Sequence, residues 1–202
     1  MEVTEIINGI KNMGDFLNDF LLSLGVWAPI LSSILILLEG ILAFLPLVVF
    51  VTINILILGP IVGGLISWIM TTIGSFLTFY LCRKGFNNFF QNKVSNSKKL
   101  LSFMNKVDNL KFKQLVLLIA IPFAPSFFIN VGAGLSNISI KKYFYSLVVG
   151  KIFVIIFLGY IGCNIVECFT NPVVLIKVVV LVVIAYVVAQ IVNKKFDLDE
   201  RF

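Results

Sequence analysis

From Val3 to Leu24 apolar residues return at helical spacing: Val3, Ile6, Ile7, Ile10, Met13, Phe16, Leu17, Phe20, Leu21 and Leu24, with a polar, acidic face opposite. That period predicts an amphipathic helix over residues 1–25, lying on a membrane or on the rest of the protein. Beyond it the pattern changes to long apolar runs. Residues 26–58 form one run, interrupted by Pro29, Glu39, Gly40 and Pro46. Residues 61–82, 144–166 and 173–192 each read as a full span, because roughly 20 apolar residues cross a bilayer once. Residues 83–113 make the longest polar connection, where Leu100, Leu101, Met104, Val107 and Leu110 alternate with Lys98, Lys99, Lys106 and Lys113. This suits a basic interfacial helix or the solvated face of a linker. Residues 193–202 form a tail.

The run 114–140 is apolar, yet it carries Pro122, Pro125, Gly132 and Gly134, with Lys111 and Lys113 before it and Lys141 and Lys142 after it. Between residues 83 and 113 stand eight basic residues and one acid, Asp108. Basic clustering beside apolar segments marks the cytoplasmic side, so both ends of 114–140 return there. The segment therefore enters the membrane and turns back near the prolines, which remove backbone donors. The alternative is one kinked span with Lys141 and Lys142 outside. Pro46 is followed eight residues later by Asn54, as Pro122 is by Asn130, and glycines trail each asparagine. If 26–58 also folds back, its ends lie outside and the two hairpins enter from opposite faces. The expected fold is an all-α polytopic membrane protein. It has two opposed re-entrant helical hairpins plus about three full transmembrane helices, the inverted-repeat plan of secondary transporters.

Composition fits this class. The 202-residue chain is 59% hydrophobic with a mean hydropathy of +1.06, and only 13% of it is charged. From residue 20 to residue 81 the single ionisable carboxylate is Glu39, with no Lys or Arg. The N-terminus has no basic stretch of a secretory signal, since Glu2, Glu5, Asp15 and Asp19 outnumber Lys11. The net charge of +6 sits beside the apolar segments, which favours a membrane surface over nucleic acid. Lys194, Lys195 and Arg201 place the C-terminus in the cytoplasm, although Asp197, Asp199 and Glu200 lie among them. Cys82, Cys163 and Cys168 form no CxxC pattern and read as small apolar residues. With no His, no zinc-type cluster, and no nucleophile beside a base, the sequence predicts neither an enzyme nor a cofactor. Gly132 and Gly134 lack the third glycine and the strand of a dinucleotide loop.

Few polar residues remain for a pathway. Glu39 at depth would cost about 2.5–3.5 kcal/mol on insertion scales, so it should face a cavity, carry a proton, or sit at a watery mouth. Lys151, inside the span 144–166, either pairs with Glu39 or with a lipid phosphate, or snorkels to the interface. Arg83 and Lys84 fall where headgroup phosphates lie. Pro46, Asn54, Pro122, Pro125, Asn130, Gly132 and Gly134 shape the hairpins. Gly63, Ser67, Thr71, Gly74 or Ser75, and Thr78 line one face of 61–82, and Gly59 with Gly63 makes a GxxxG. Such a face packs another helix closely or forms a lipid-head groove.

The stretches LLEGILAFLPLVVFVTINILILGPIVGG, IGSFLTFYLCRKG and AIPFAPSFFINVGAGLS resemble the DedA/VTT family of membrane proteins, over roughly residues 35–165. The family's acid before a proline is matched by Glu39 and Pro46, and its Tyr-x-x-Arg ending with a nearby Gly by Tyr80, Arg83 and Gly85. Its second hairpin is matched by Pro122, Pro125, Asn130, Ala133 and Gly134. Ile119 stands where the family has an arginine, Phe153 where it has a proline, and a second acid after the first hairpin's proline is absent. The resemblance implies transport of lipids by flipping or scrambling, the partners being phospholipids or polyprenyl phosphates, in a multi-pass protein of the cell membrane. It also implies a part in membrane-potential and envelope homeostasis. A homodimer is compatible with this reading. The alternatives are a non-transporting scaffold or chaperone using the small-residue face, and a small ion-coupled solute carrier.

Overall fold

The computed structural model describes residues 25, 27–42, 45–84, 98–122, 126–165, 167–169 and 171–196, with side chains left aside at 98–103, 169 and 193–196. The amphipathic stretch 1–24, Pro125, all of 85–97 and the last residues of the tail lie outside this set. Among the described residues the chain is helical, with no strand. The helices are α1 (Trp27–Leu42), α2 (Leu47–Lys84), α3 (Lys98–Asn109), α4 (Phe112–Ala120), α5 (Ser126–Leu135), α6 (Ile140–Asn164) and α7 (Pro172–Phe196). A short 3-10 turn, Glu167–Phe169, precedes α7. Three of them, Leu47–Lys84, Ile140–Asn164 and Pro172–Val192, are long and apolar enough to cross a membrane.

Local chemistry sets the helix starts. The Ser139 hydroxyl accepts from the Lys142 N–H to cap α6, and the Asn171 side chain accepts from the Val173 N–H ahead of α7. Pro172 then occupies the first turn of α7, where its missing donor costs nothing.

α2 contains a reversal. Gly59 takes φ +81°, a left-handed backbone that side chains resist, and Pro60 begins the next limb. In a straight helix Asn54 and Ser67 would stand about 20 Å apart. Here the Asn54 side chain donates to the Ser67 hydroxyl at 3.1 Å, so limb 47–58 lies back along limb 60–84. Gly59 is thus the bend, while Gly63 sits in the following helix with its α-carbon against the carbonyl of Asn54.

Contacts fix the directions. Gly40 lies against Gly74 and Ser75, and the Gly40 carbonyl accepts from the Thr78 hydroxyl at 2.5 Å. Ser32 and Ser33 meet Asn54 beside Ser67, so α1 runs parallel to limb 60–84 and limb 47–58 runs back between their ends. Trp27 and Gly59 accordingly stand at one end of the bundle and Lys84 at the other. In the second half, α4 packs on α6 and α5 packs on α2. The Asp108 carboxylate accepts from the Asn137 N–H at 2.6 Å, tying the chain before α4 to the chain after α5. Both feet of that helical pair are at the Lys84 end. An apolar cluster of Phe79, Val107, Leu115, Ile129, Tyr143 and Leu147 fills the space among α2 to α6. Outward-facing Ile61, Ile69, Phe153, Ile156, Ile176 and Ile184 remain exposed, as expected of a surface solvated by lipid.

Candidate functional site

Buried polar groups interrupt the apolar interior. In the first pair, Asn54 is fully buried and its amide makes three hydrogen bonds. Its Nδ2 donates to the Ser33 and Ser67 hydroxyls, and its Oδ1 accepts from the Ser32 hydroxyl. Ser32 and Ser33 also reach the Pro29 carbonyl, one turn back. A buried amide bonded in this way fixes the register of two limbs and leaves no amide hydrogen for a ligand.

The second pair is held from outside. Arg83 lies near the end of α2, and its guanidinium donates to four carbonyls at the end of α5: Ala133, Gly134, Ser136 and Ile138, at 2.8 to 2.9 Å. The last carbonyls of a helix lack intrahelical partners, and a planar fork of donors satisfies several together. The same guanidinium stacks over the Phe79 ring at 4.8 Å, and Phe79 stacks on Tyr143 at 4.1 Å. Gly134 leaves room for this junction, being pressed against Cys82 and the Phe79 carbonyl. Arg83 is therefore a clamp between two helices, and the headgroup position read from sequence does not describe its guanidinium. Lys84 instead lies over the Tyr80 ring at 4.8 Å.

Deeper in, groups lack partners. Glu39 is 9% exposed, and its Oε2 finds no hydrogen-bond partner. The same holds for Thr71 Oγ1 and Ser75 Oγ on the face of α2 that meets α1, and for Asn130 Nδ2 on α5. Asn130 Oδ1 accepts from the Tyr143 hydroxyl at 2.6 Å. Lys151 is 1% exposed, and its ammonium donates to the Ser126 hydroxyl at 3.2 Å. Lys151 and Glu39 interact electrostatically without forming a direct ion pair among the described contacts. Glu39 neighbours Gly40, which is level with Gly74; that places it roughly 15 Å from Lys84 and roughly 20 Å from Pro60 along the axis. Lys151 is roughly 16 Å along α6 from Ile140. Both charges thus sit near the middle of an apolar body about as thick as a bilayer core.

The sequence-derived candidates divide accordingly. Glu39, Asn130 and Lys151 belong to this central seam, Gly132 and Gly134 are buried in α5 beside it, and Asn54 lies in the satisfied network. Pro46 is exposed at the start of α2, and Pro122 is partly buried where α4 ends. Lys151 does not snorkel, and Glu39 is not at a watery mouth. The small-residue face of α2 is covered: Gly74 lies against the Leu37 carbonyl, so a docking partner finds that face occupied by α1. Sequence reasoning did not single out Ser32, Ser33, Ser126 or Tyr143. Tyr143 near the start of a span reads as an interfacial aromatic, like its exposed neighbour Tyr145. Among the described residues no group of three His, Cys, Asp or Glu side chains could hold a metal.

The seam offers one carboxylate, one ammonium and several hydroxyl and amide groups in low-dielectric surroundings, a set able to receive a zwitterionic or anionic headgroup, water or a proton. Residues 45–164 match the model of the VTT domain. The chain is similar to the membrane protein YhjE of Bacillus subtilis (strain 168), 31% identical over 174 residues, covering 86% of this chain and 84% of that one. It is also similar to YqeD of the same bacterium, 26% identical over 140 residues, covering 69% and 67%. No solved structure matches it.

Proposed function

The chain belongs to the VTT-domain (DedA) family of membrane proteins, and from that premise we propose that it is a lipid transporter of the cell membrane. The two helical pairs dip into the bilayer from opposite faces, 26–58 from outside and 114–140 from the cytoplasm, with the C-terminus cytoplasmic. Between them a phospholipid or polyprenyl-phosphate headgroup crosses while its tails stay in the surrounding lipid. One observation carries this reading: near mid-depth the buried Glu39 carboxylate, with one oxygen lacking a hydrogen-bond partner, lies within electrostatic reach of the buried ammonium of Lys151. Unpaired polar groups are costly in a membrane interior and rare in native cores, and a polar cargo or water in transit would satisfy them. Lys151 meets the phosphate, Glu39 balances its charge when the path is empty, and Asn130 lines the way.

The test is transbilayer movement of fluorescent phospholipid in liposomes containing the purified protein. Glu39→Ala and Asn130→Ala are expected to slow it severalfold while leaving the thermal midpoint near that of the parent. A parent protein that leaves labelled lipid in its original leaflet would remove the proposal.

A further inference from the structure

An apolar groove of about 500 Å³ runs along the outer surface between α4, α6 and α7, apart from the central seam. It exists because α7 meets the body chiefly near its far end, where Ala189 and Val192 join the same apolar cluster as Leu115 and Leu118. Gly150 meanwhile lets α4 close on α6, its α-carbon facing Ile119 and the Val116 carbonyl. The rest of α7 leans away. Leu117, Pro122, Phe153, Leu181 and Val188 are among the walls, and Tyr160 and Lys177 stand toward the Pro172 end of α7.

Three features describe an occupant. The lining contains one charge, Lys177, and no acid. Lys177 lies one to two turns inside the start of α7 at Pro172, the depth at which a long cationic side chain reaches the phosphate layer. From Lys177 to Val188 the groove follows α7 for about 16 Å, half of a hydrocarbon core of about 30 Å. A slot one leaflet deep, apolar throughout and cationic at its interfacial end, has the shape and charge of a phospholipid held by one chain.

We propose that this groove is a binding site for an anionic phospholipid of the leaflet on the Pro172 side, with an acyl chain between α6 and α7 and its phosphate at Lys177. Pro122, where α4 breaks, is part of the lining, so the lipid braces the second helical pair from outside. The site does not depend on headgroups crossing the membrane.

Native mass spectrometry of the full-length protein, titrated with phosphatidylglycerol or phosphatidylcholine of identical chains, tests it without any translocation step. One phosphatidylglycerol per chain is expected to be retained in preference to phosphatidylcholine. Lys177→Gln should cut that preference about fivefold, the worth of one basic residue at a membrane surface. Ala185→Phe and Leu181→Trp, which fill the groove, should remove retention of both lipids, while Ile73→Phe in the separate groove between α2 and α6 should change nothing. Equal retention of the two lipids by the parent overturns the proposal, as does retention indifferent to Ala185→Phe and Leu181→Trp. A dimer mass abolished by Ala185→Phe, with no lipid bound, would assign the groove to a second copy and overturn it as well. Any of these results leaves the transport assay of the central seam free to succeed or fail by itself.

Discussion

The two helical pairs are closed by different means. The first is closed backbone to backbone: Gly40 meets Gly74, Gly74 meets the Leu37 carbonyl, Gly63 meets the Asn54 carbonyl, and the Asn54 amide locks the limbs. The second has no such closure. Its limbs divide between neighbours, α4 on α6 and α5 on α2, and charged side chains hold its ends: Arg83 at the foot of α5, Lys151 at its opposite end through Ser126. Interiors packed at van der Waals distance transmit displacement with little give. Any separation of α2 from α6 is therefore passed to the second pair, while the first travels with α2 as one body.

The comparison breaks most visibly at the glycines. A β-carbon on Gly40 would stand 2.5 Å from the Gly74 carbonyl carbon and 2.6 Å from the Ser75 nitrogen, and backbone cannot rotate away. A β-carbon on Gly150 would meet Ile119 Cγ2 at 2.7 Å and Cβ at 2.9 Å and the Val116 carbonyl at 3.1 Å, a looser fit than at Gly40 and relieved by a small shift of α4 against α6. Gly40→Ala should cost about 3 kcal/mol or more, the upper range for overpacking, and Gly150→Ala about 1 kcal/mol. Thermal unfolding in detergent measures both; a larger loss at Gly150 would mean that the first pair is not the rigid one.

Next comes the clamp. Arg83→Ala removes a charged donor from four carbonyls, of which Ala133 keeps the Ser136 hydroxyl, and should cost about 3 kcal/mol, since hydrogen bonds from charged groups each contribute more than neutral ones. Arg83→Lys should recover less than half, because an ammonium cannot span the fork. Limited proteolysis should find the segment after α5 newly exposed while α1 and α2 stay protected. Full rescue by lysine would reduce Arg83 to a point charge at the interface.

Much of this was legible in the chain. Apolar run length marked three helices able to span, and two of the prolines stand beside breaks in the helical path, Pro46 just before α2 and Pro122 just after α4. Glu39 and Lys151 were conspicuous because charge is rare in apolar runs. What remained hidden depends on which helices touch. Gly59-x-x-x-Gly63 reads as a packing motif, but its first glycine bends the chain, because only the tertiary fold decides whether a glycine before proline turns left-handed. Arg83 sits at a span end, where the positive-inside rule already accounts for a basic residue, and nothing local announces the four carbonyls that come to it from fifty residues away. Serines in apolar helices look alike until Asn54 selects Ser32, Ser33 and Ser67.

A smaller effect separates the two asparagines. Asn54→Leu removes a satisfied amide and leaves three serine hydroxyls without it, for an expected loss of about 2 kcal/mol. Tyr143→Phe leaves Asn130 with its oxygen unpaired as well as its nitrogen, for about 1 kcal/mol, because that amide is already half unsatisfied. Both are read as shifts in the thermal midpoint. If Tyr143→Phe proved the costlier, Asn130 would be a structural pin like Asn54, and its place in the pathway would fall.

The finest test joins the two halves. Glu39 belongs to the first pair and Lys151 to the helix that carries the second, and they act on each other across the seam without touching. A double-mutant cycle of Glu39→Gln and Lys151→Met isolates that term from the cost of either change alone. Because the two do not touch, the coupling should be near the low end for interacting residues, about 0.5–1 kcal/mol, and favourable. A coupling of several kcal/mol would mean a closed ion pair that bolts the halves together and blocks the route between them. A coupling of zero would mean that each charge has its own surroundings, and that the first pair does not sense the second through the seam at all.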